Sequence, residues 1–301
     1  MKLLITGATG LVGSAIMSLC SQKNIFTHYL TTSKSKVKKT TKAQGFYWNP
    51  KTKEVDINCL RGIDAIINLA GASISKRWTT AYRNTIIESR VQSINLLYKL
   101  LSENEHEVKF VVSASAIGIY PSSFTEVYTE TNTASNTSFL GTVVQLWEQE
   151  VDTLSNLGLS VCKLRLGIVL SSNGGALEKM TQPIGMGFGA ALGNGKQGQS
   201  WIHINDLSRL FLHVIEKNLQ GTYNAVASEV ITNKELTKAI SKQLHKPIWL
   251  PNIPAFLLKI ILGKMASLVV ESQRVSNAKI LKTGFIFEYD SLEKALVECL
   301  G

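Results

Sequence analysis

The chain has 301 residues, of which 45% are hydrophobic, and this length supports one large domain or two unequal ones with a sizeable core. Its 32 lysines and arginines outnumber 22 acidic residues and give a formal net charge of +10, which suits an anionic partner. We expect no nucleic-acid partner, because the one dense basic run, residues 34–42, belongs to no recognised binding motif.

The four cysteines and five histidines are scattered along the chain, without C-x-x-C or metal-ligand spacing. We therefore expect no disulfide framework, no metal site and a reducing, cytoplasmic location. The most apolar late segment, residues 253–270, is interrupted by Lys259 and Lys264. This pattern predicts a packed amphipathic helix rather than a membrane span, so no membrane partner is expected.

In chain order, the first half alternates short apolar runs with helical patterns. Strands are predicted at residues 2–6, 26–31, 64–69, 108–113 and 159–166, and the main helices at residues 11–22, 81–101 and 142–157. Such alternation is typical of a parallel sheet covered on both faces. With right-handed crossovers, it predicts a doubly wound α/β fold of the Rossmann type.

The regular alternation of apolar runs and helical patterns ends after Leu170. A glycine-dense stretch, residues 174–198, predicts loops, followed by a helix near 206–217 and a strand near 221–225. Two further helices are expected to open at a capping box, Thr232 with Glu235, and at Asp290 with Glu293. We therefore expect a nucleotide-binding domain over residues 1–170. A smaller α+β substrate-side domain follows over residues 171–301, from which a strand can return to the main sheet.

A glycine-rich loop follows the first strand and opens the first helix, which is the context that makes such a pattern informative. Gly7 permits a tight turn, Gly10 lets the backbone approach a pyrophosphate, and Gly13 lets the helix pack close to the strand. The free N–H groups at the helix start then favour phosphate. The predicted dinucleotide contacts in this loop are Gly7, Thr9, Gly10, Leu11, Val12 and Gly13.

The end of the second strand indicates which dinucleotide is bound. NAD-specific sites place an acidic residue there to hold the ribose 2′-hydroxyl. Residues 30–36 contain no acid but several hydroxyls and lysines, which suit a 2′-phosphate, and Ser33 and Lys34 are the expected contacts. The prediction is NADP(H) as the preferred cofactor, with NAD(H) as the alternative.

Longer motifs carry a resemblance to a known family. The chain contains NLAG at residues 68–71, ESRV at 88–91, SASAIGIY at 113–120, LRLGIVLS at 164–171, SWIHINDL at 200–207 and TGFIFEY at 283–289. With these it resembles the atypical short-chain dehydrogenases/reductases. Within that superfamily it resembles the NAD-dependent epimerase/dehydratase-like group of sugar-nucleotide epimerases, which ends in a small domain of unknown function. The resemblance implies cofactor contacts at Leu69, Ala70, Gly71, Ser113 and Ala114, and places the superfamily's catalytic serine at Ser115.

One departure from the superfamily matters for chemistry. Its Tyr-x-x-x-Lys pair, in which the tyrosine exchanges a proton and the lysine lowers its pKa, is absent from residues 139–144. Ser115 can instead hydrogen-bond a substrate carbonyl or the nicotinamide amide, or be a plain strand-end residue. Tyr120 is a substitute acid or a packed ring with a wet hydroxyl.

Four further residues are candidates for substrate binding. Arg90 can bind a phosphate or carboxylate, or form an ordinary surface salt bridge. Arg165 lies at a strand end, where parallel sheets place ligands, or is structural. Trp78 can wall the pocket or pack in the core. His203 belongs to an element that is usually architectural in the superfamily, with Asp206 capping the next helix.

Two functions follow from these observations. The first is an enzyme, an NADP(H)-dependent oxidoreductase or nucleotide-sugar epimerase acting on a small anionic substrate, with a homodimer as one arrangement. The second is a non-catalytic dinucleotide-sensing or regulatory protein, which the missing Tyr/Lys pair favours.

Overall fold

The computed structural model describes all 301 residues. Its strands are β1 (Lys2–Thr6), β2 (Phe26–Thr31), β3 (Ala43–Asn49), β4 (Glu54–Val55), β5 (Ala65–Asn68), β6 (Phe110–Ala116), β7 (Val127–Tyr128), β8 (Ser160–Leu166), β9 (Ile168–Leu170), β10 (Gly198–Gln199), β11 (Trp201–His203), β12 (Gly221–Ala225), β13 (Ile231–Thr232) and β14 (Arg274–Val275). Its α-helices are α1 (Leu11–Gln22), α2 (Thr80–Glu103), α3 (Phe139–Thr153), α4 (Ala176–Gly185), α5 (Ile204–Glu216), α6 (Asn233–Gln243), α7 (Ala255–Leu262), α8 (Ser267–Val270), α9 (Ala278–Leu281) and α10 (Leu292–Leu300).

Eight strands form the central sheet in the order β12-β8-β6-β5-β1-β2-β3-β4. All neighbours run parallel except β4, which is antiparallel to β3. Helix α1 packs against α5, and α2 packs against α3. The expected doubly wound α/β fold of the Rossmann type is confirmed. Its strand order reverses between β1 and β5, which is where such sheets bind ligands.

The main core draws on both halves of the chain. Apolar residues of the parallel strands, such as Ile5, Ile66 and Val112, share one cluster with Phe211 of α5 and Phe285 near the C-terminus. Strand β12 returns to the sheet and pairs in parallel with β8. A second, smaller cluster joins β9, α4, α6 and α10. The residues after Leu170 therefore complete the sheet as well as forming the smaller α+β portion.

Several local expectations need correction. Strand β3 was not predicted, and β6 extends to Ala116, which places Ser115 inside the strand. The last helix is capped by the Ser291 hydroxyl, which accepts from the Lys294 N–H, and not by Asp290. The predicted single helix over residues 253–270 is broken at Gly263, and α7 turns most of its apolar side chains outward.

No helix of the structure combines the length and the hydropathy needed to cross a membrane.

Candidate functional site

The glycine-rich loop joins β1 to α1 and has no room for side chains at two positions. Gly7 has φ of +67°, and a Cβ there would lie 2.7 Å from the Leu69 carbonyl oxygen. A Cβ on Gly13 would lie 2.3 Å from the Gly7 carbonyl oxygen, so the helix can approach the strand only with glycine at this position. Gly10 differs, because its conformation is extended and its Cβ position faces only the Gly7 oxygen, at 3.3 Å.

The first turn of α1 leaves hydrogen-bond donors free. Gly10 is the N-cap without a side-chain cap, and the N–H groups of Leu11, Val12 and Gly13 have no acceptor within the protein. No acidic residue lies in this turn, and Thr9 is exposed at the loop tip. Free donors at a helix start next to an open backbone position are what a pyrophosphate requires. These residues fit a dinucleotide.

A buried polar chain shapes the neighbouring strand end. The Thr6 hydroxyl donates to Asn68 Oδ1 (2.8 Å) and accepts from the N–H groups of Leu69 and Ala70, both at 3.1 Å. Asn68 Nδ2 in turn donates to the Ser113 hydroxyl at 2.9 Å. These hydrogen bonds hold the backbone after β5 beside the glycine-rich loop. Ser113 itself and its neighbour Ala114 are buried within β6.

The end of β2 carries the residues expected to choose the cofactor. The Ser33 hydroxyl lies 2.9 Å from that of Ser35, and the backbone N–H of Ser33 donates to Thr31. Lys34 is exposed and forms no salt bridge. Its Nζ sits 5.1 Å from the centre of the Tyr47 ring on neighbouring β3. Ser33 and Lys34 thus both lie at the carboxyl end of the sheet, and the charge of Lys34 is unpaired. Their binding of a 2′-phosphate stays a prediction.

Ser115 lies in a buried ion-pair network. Its hydroxyl donates to Glu148 Oε1 at 2.5 Å, and Arg165 donates from Nε and Nη2 to the two oxygens of the same carboxylate, each at 2.8 Å. Burial alone would raise the pKa of Glu148, but the hydrogen bonds and charge of Arg165 outweigh it and hold that pKa below its ordinary value. The positive charge of Arg165 is therefore compensated by Glu148 inside the protein.

Tyr120 belongs to the same network and is 1% exposed. Its hydroxyl accepts from Arg165 Nη1 and donates to Asn224 Oδ1, both at 2.8 Å, and its ring stacks on Tyr128 with centres 5.3 Å apart. Burial raises the pKa of Tyr120 against the opposing effect of Arg165. The expected wet hydroxyl is thus enclosed, with both of its hydrogen-bonding roles taken by the protein.

Arg90 presents a charge without a counter-ion. Its Nη1 donates to the carbonyl oxygens of Ile86 (2.9 Å) and Ala72 (3.3 Å), while Nε and Nη2 have no partner and no carboxylate pairs with it. The guanidinium lies 4.9 Å from the centre of the Trp147 ring and directly against Gly71. Burial lowers the pKa of Arg90 to about 10, so the side chain is still charged at neutral pH. The alternative of a surface salt bridge is not realised.

Trp78 belongs to an apolar wall close to the start of α3. Its indole N–H donates to the Ile74 carbonyl at 2.8 Å, and its ring meets Phe139 edge-on with centres 5.1 Å apart. Leu140 packs in the same cluster, as do Met265 and Leu268 from the C-terminal part. The positions where the superfamily carries its tyrosine and lysine are thus occupied by a hydrophobic surface.

His203 has an architectural role. It caps α5, since its Nδ1 accepts from the Asn205 N–H at 3.3 Å, and its ring packs on Tyr289 with centres 3.8 Å apart. Asp206 is not the cap as expected. Its carboxylate accepts from the backbone N–H groups of Glu288 and Tyr289 and from Arg209, and so ties α5 to the C-terminal segment.

The structure brings together polar residues that the sequence analysis did not assign. Glu148, Thr6 and Asn224 are the residues that it did not single out. Glu148 lies among the buried positions Val144, Trp147 and Val151 of α3. A carboxylate on the apolar face of a helix is the pattern from which its buried partner could have been anticipated.

Known protein families match most of this chain. The model of the NAD dependent epimerase/dehydratase family matches residues 3–226, from β1 to the end of β12. A domain of unknown function matches residues 253–299. The chain belongs to the NAD dependent epimerase/dehydratase family. The family match spans the glycine-rich loop, the buried ion pair and Arg90.

Relatives extend the likeness over the whole chain. An epimerase family protein of Staphylococcus haemolyticus is 34% identical over 302 residues, covering 99% of this chain and 99% of the relative. The crystal structure of a human epimerase family protein with NADPH aligns with a TM-score of 0.87 and 26% identity, covering 100% of this chain and 99% of the human one. A UDP-glucose 4-epimerase of Thermus thermophilus with NAD gives a TM-score of 0.78 at 16% identity, covering 100% of this chain and 97% of that one, and shows the fold alone.

Proposed function

We propose that this family member binds NADP(H) in preference to NAD(H) and holds a small anionic substrate beside Arg90, as an oxidoreductase or nucleotide-sugar epimerase of the cytoplasm. The nicotinamide, when bound, supplies hydride chemistry. The protein contributes the phosphate cradle at α1, the fixed strand end after β5 and the apolar wall around Phe139. The observation that carries the proposal is the set of free N–H groups at the start of α1.

The preference for NADP(H) is supported by the end of β2. No acidic residue is present there to hold a ribose 2′-hydroxyl. Ser33 and Lys34, which forms no salt bridge, are present instead and can bind a 2′-phosphate. A hydrogen bond to a charged phosphate contributes about 1.5–3 kcal/mol, which is enough to decide between two otherwise identical cofactors. The similar human protein carries NADPH.

The anionic substrate is supported by Arg90. A partly buried guanidinium with two donating nitrogens free and no carboxylate nearby leaves a charge to be compensated. It lies against Gly71, in the segment that follows β5, and so borders the cofactor side of the sheet. A phosphate or carboxylate can accept from Nε and Nη2 together. In this role Arg90 binds and orients the substrate.

A second candidate function is the binding of the dinucleotide without turnover, as in a sensing or regulatory protein. The geometry of Ser115 and Tyr120 favours it. The proton of the Ser115 hydroxyl is committed to Glu148, so this serine can offer a substrate only its lone pairs. The Tyr120 hydroxyl is enclosed between Arg165 and Asn224. Proton transfer by either group requires opening a buried network.

Two measurements separate the functions. Calorimetric titration with NADPH and NADH tests the cofactor site, and failure of both to bind contradicts either function. A screen of phosphorylated and carboxylated metabolites for NADPH oxidation, and of nucleotide sugars for epimerisation, tests turnover. Tight NADPH binding with no turnover across the screen supports the sensing function.

The anion site is tested with Arg90→Met, which removes the charge and keeps the length of the side chain. We expect weaker binding of any anionic substrate and unchanged NADPH affinity. Arg61→Met is the matched control, because Arg61 is exposed and precedes β5, at the end of that strand opposite to Gly71. Equal substrate affinity in Arg90→Met and the wild type contradicts the assignment.

A further inference from the structure

Helix α7 exposes its apolar face to solvent, unlike an ordinary surface helix. Phe256, Ile260 and Ile261 are 66%, 72% and 64% exposed, and Leu257 joins them on the same side. Only Leu258 of this helix is buried. A helix on a globular protein normally places its apolar stripe on the core. The outward stripe therefore marks a surface that contacts something else.

A second exposed apolar group continues this surface along the chain. Trp249, five residues before the helix N-cap Pro254, is 67% exposed, and its indole N–H donates to the Gly187 carbonyl at 3.0 Å. That bond ties Trp249 to the turn carrying Met186 and Phe188, which are 67% and 62% exposed. We call the outward residues of this turn, Trp249 and α7 the apolar patch; its members are Met186, Phe188, Trp249, Phe256, Leu257, Ile260 and Ile261.

The charges of the segment carrying most of the patch all have one sign. Residues 236–270 contain five lysines and no acidic residue. Lys246 precedes Trp249, Lys259 borders the apolar stripe on α7, and Lys264 follows the helix. All three are exposed and none forms a salt bridge. A partner that covers α7 and Trp249 is therefore complementary when it is apolar in the middle and negatively charged where it meets these three lysines.

Against the expectation of no membrane partner, which rested on a packed helix over residues 253–270, we propose that the apolar patch docks on an anionic lipid surface, with α7 lying in the plane of the membrane interface. An aromatic and aliphatic face bordered by lysines is the composition of helices that bind in this way. The eight residues of α7 span about 12 Å, which suits contact along the surface. Negatively charged headgroups attract the lysines while the apolar side chains enter the acyl boundary.

A second copy of the chain fits less well. In a two-fold symmetric contact the same patch faces itself, so the lysines of both copies approach one another without an acidic partner in this segment. The repulsion opposes the gain from burying the apolar side chains. The charge pattern thus selects lipid over self-association.

The test is sedimentation of the full chain with vesicles of phosphatidylcholine alone and of phosphatidylcholine mixed with phosphatidylglycerol. We expect binding to the mixed vesicles only, weakened by high salt because the attraction is partly electrostatic. The double variant Phe256→Asp with Ile260→Asp should bind at least about tenfold more weakly. Lys259→Glu with Lys264→Glu should lose the preference for anionic vesicles.

The control is Ile286→Asp, which places the same charge at an isoleucine that is 75% exposed and outside the patch. It should bind as the wild type does, and thermal melts check that every variant is folded. The difference in tryptophan emission between the wild type and Trp249→Phe should shift to shorter wavelength on vesicles, because the indole leaves water. Absence of wild-type binding to mixed vesicles overturns the proposal. So does a concentration-dependent dimer that dissociates in the Phe256/Ile260 variant, which would make the patch an interface between copies.

Discussion

Glu148 on α3 and Arg165 on β8 form a bidentate ion pair, with Nε and Nη2 of the arginine each 2.8 Å from a different carboxylate oxygen. Both side chains are at most 10% exposed. Ser115 and Tyr120 hydrogen-bond to the two ends of this pair. Ser115 and Tyr120, the residues expected to transfer protons, are therefore hydrogen-bonded to a structural ion pair. Proton transfer by either residue requires these hydrogen bonds to break.

Removal of one member of this pair should destabilise the fold strongly. Glu148→Gln leaves the buried Arg165 charge uncompensated, and we expect the free energy of unfolding to fall by about 3 kcal/mol or more. Urea denaturation provides the measurement. The matched control is Lys242→Gln, which breaks the salt bridge to Glu293 between side chains that are 81% and 77% exposed, and should change stability by about 0–1 kcal/mol. Equal losses would contradict the buried character of the Glu148–Arg165 pair.

The stability that Glu148 contributes should disappear in acid. Because its pKa is lowered in the folded state from the ordinary value of 4.5, the contribution is fully present above that pH and is lost as pH falls further. The difference between the wild type and Glu148→Gln, measured in urea at a series of pH values, should therefore shrink below about pH 4.5. A constant difference would mean that the carboxylate does not titrate with unfolding.

His203 should make stability depend on pH in a higher window. Burial lowers its pKa from 6.5 to about 4, so the unfolded chain binds the proton more readily between these values. Stability from this group is complete above pH 6.5 and is lost as pH falls towards 4, by up to about 3 kcal/mol. His203→Asn keeps an N-cap side chain and should flatten this part of the curve of unfolding midpoint against pH.

The control for that experiment is His245→Asn, because His245 is exposed in a left-handed conformation that asparagine tolerates. Its curve should follow that of the wild type. A residual slope in His203→Asn is expected from His28 and His213, whose pKa values burial also lowers. An unchanged slope in His203→Asn would show that His203 is protonated equally in both states.

The glycine-rich loop offers a matched pair of substitutions. Gly10→Asp should abolish NADPH binding and leave the melting temperature close to that of the wild type, because the backbone is extended and the carboxylate would occupy the donors meant for phosphate. Gly13→Ala should instead cost stability, about 1–3 kcal/mol, because its Cβ would collide with the Gly7 oxygen. Calorimetry and thermal melts distinguish the two. Unchanged NADPH affinity in folded Gly10→Asp would remove the dinucleotide from this loop.

Lys34 should decide between the two dinucleotides. Lys34→Glu is expected to weaken NADPH binding about tenfold or more, since it replaces an attraction to the 2′-phosphate by a repulsion, and to affect NADH much less. Lys51→Glu is the control for the change in overall charge, because Lys51 is exposed in the turn after β3. A similar loss for both cofactors would assign the 2′-phosphate to another residue, and tighter NADH binding in the wild type would reverse the proposed preference.

Local features were predictable from the sequence. The spacing of Gly7, Gly10 and Gly13 specifies a strand, a turn and a helix start within a dozen residues, and the structure has all three there. The alternation of apolar runs with helical patterns likewise predicted the parallel sheet, since its central strands β1, β5 and β6 are buried on both faces. The capping box of α6 at Thr232 was predicted for the same reason, because its partner Glu235 is one helical turn away.

The tertiary structure decided what lies beyond the reach of such patterns. Glu148 is 33 residues from Ser115, and Asn224 is 104 residues from Tyr120, so no local periodicity connects them. The same holds for α7, whose stripe of apolar residues predicted burial, while its outward orientation depends on how residues 249–270 pack on the rest of the chain. The sequence by itself determined the backbone class and the phosphate-binding turn, because short-range sterics and periodicity govern them. Only folding determined which hydroxyls and charges are enclosed and which apolar face remains exposed, because these depend on contacts between distant strands and helices.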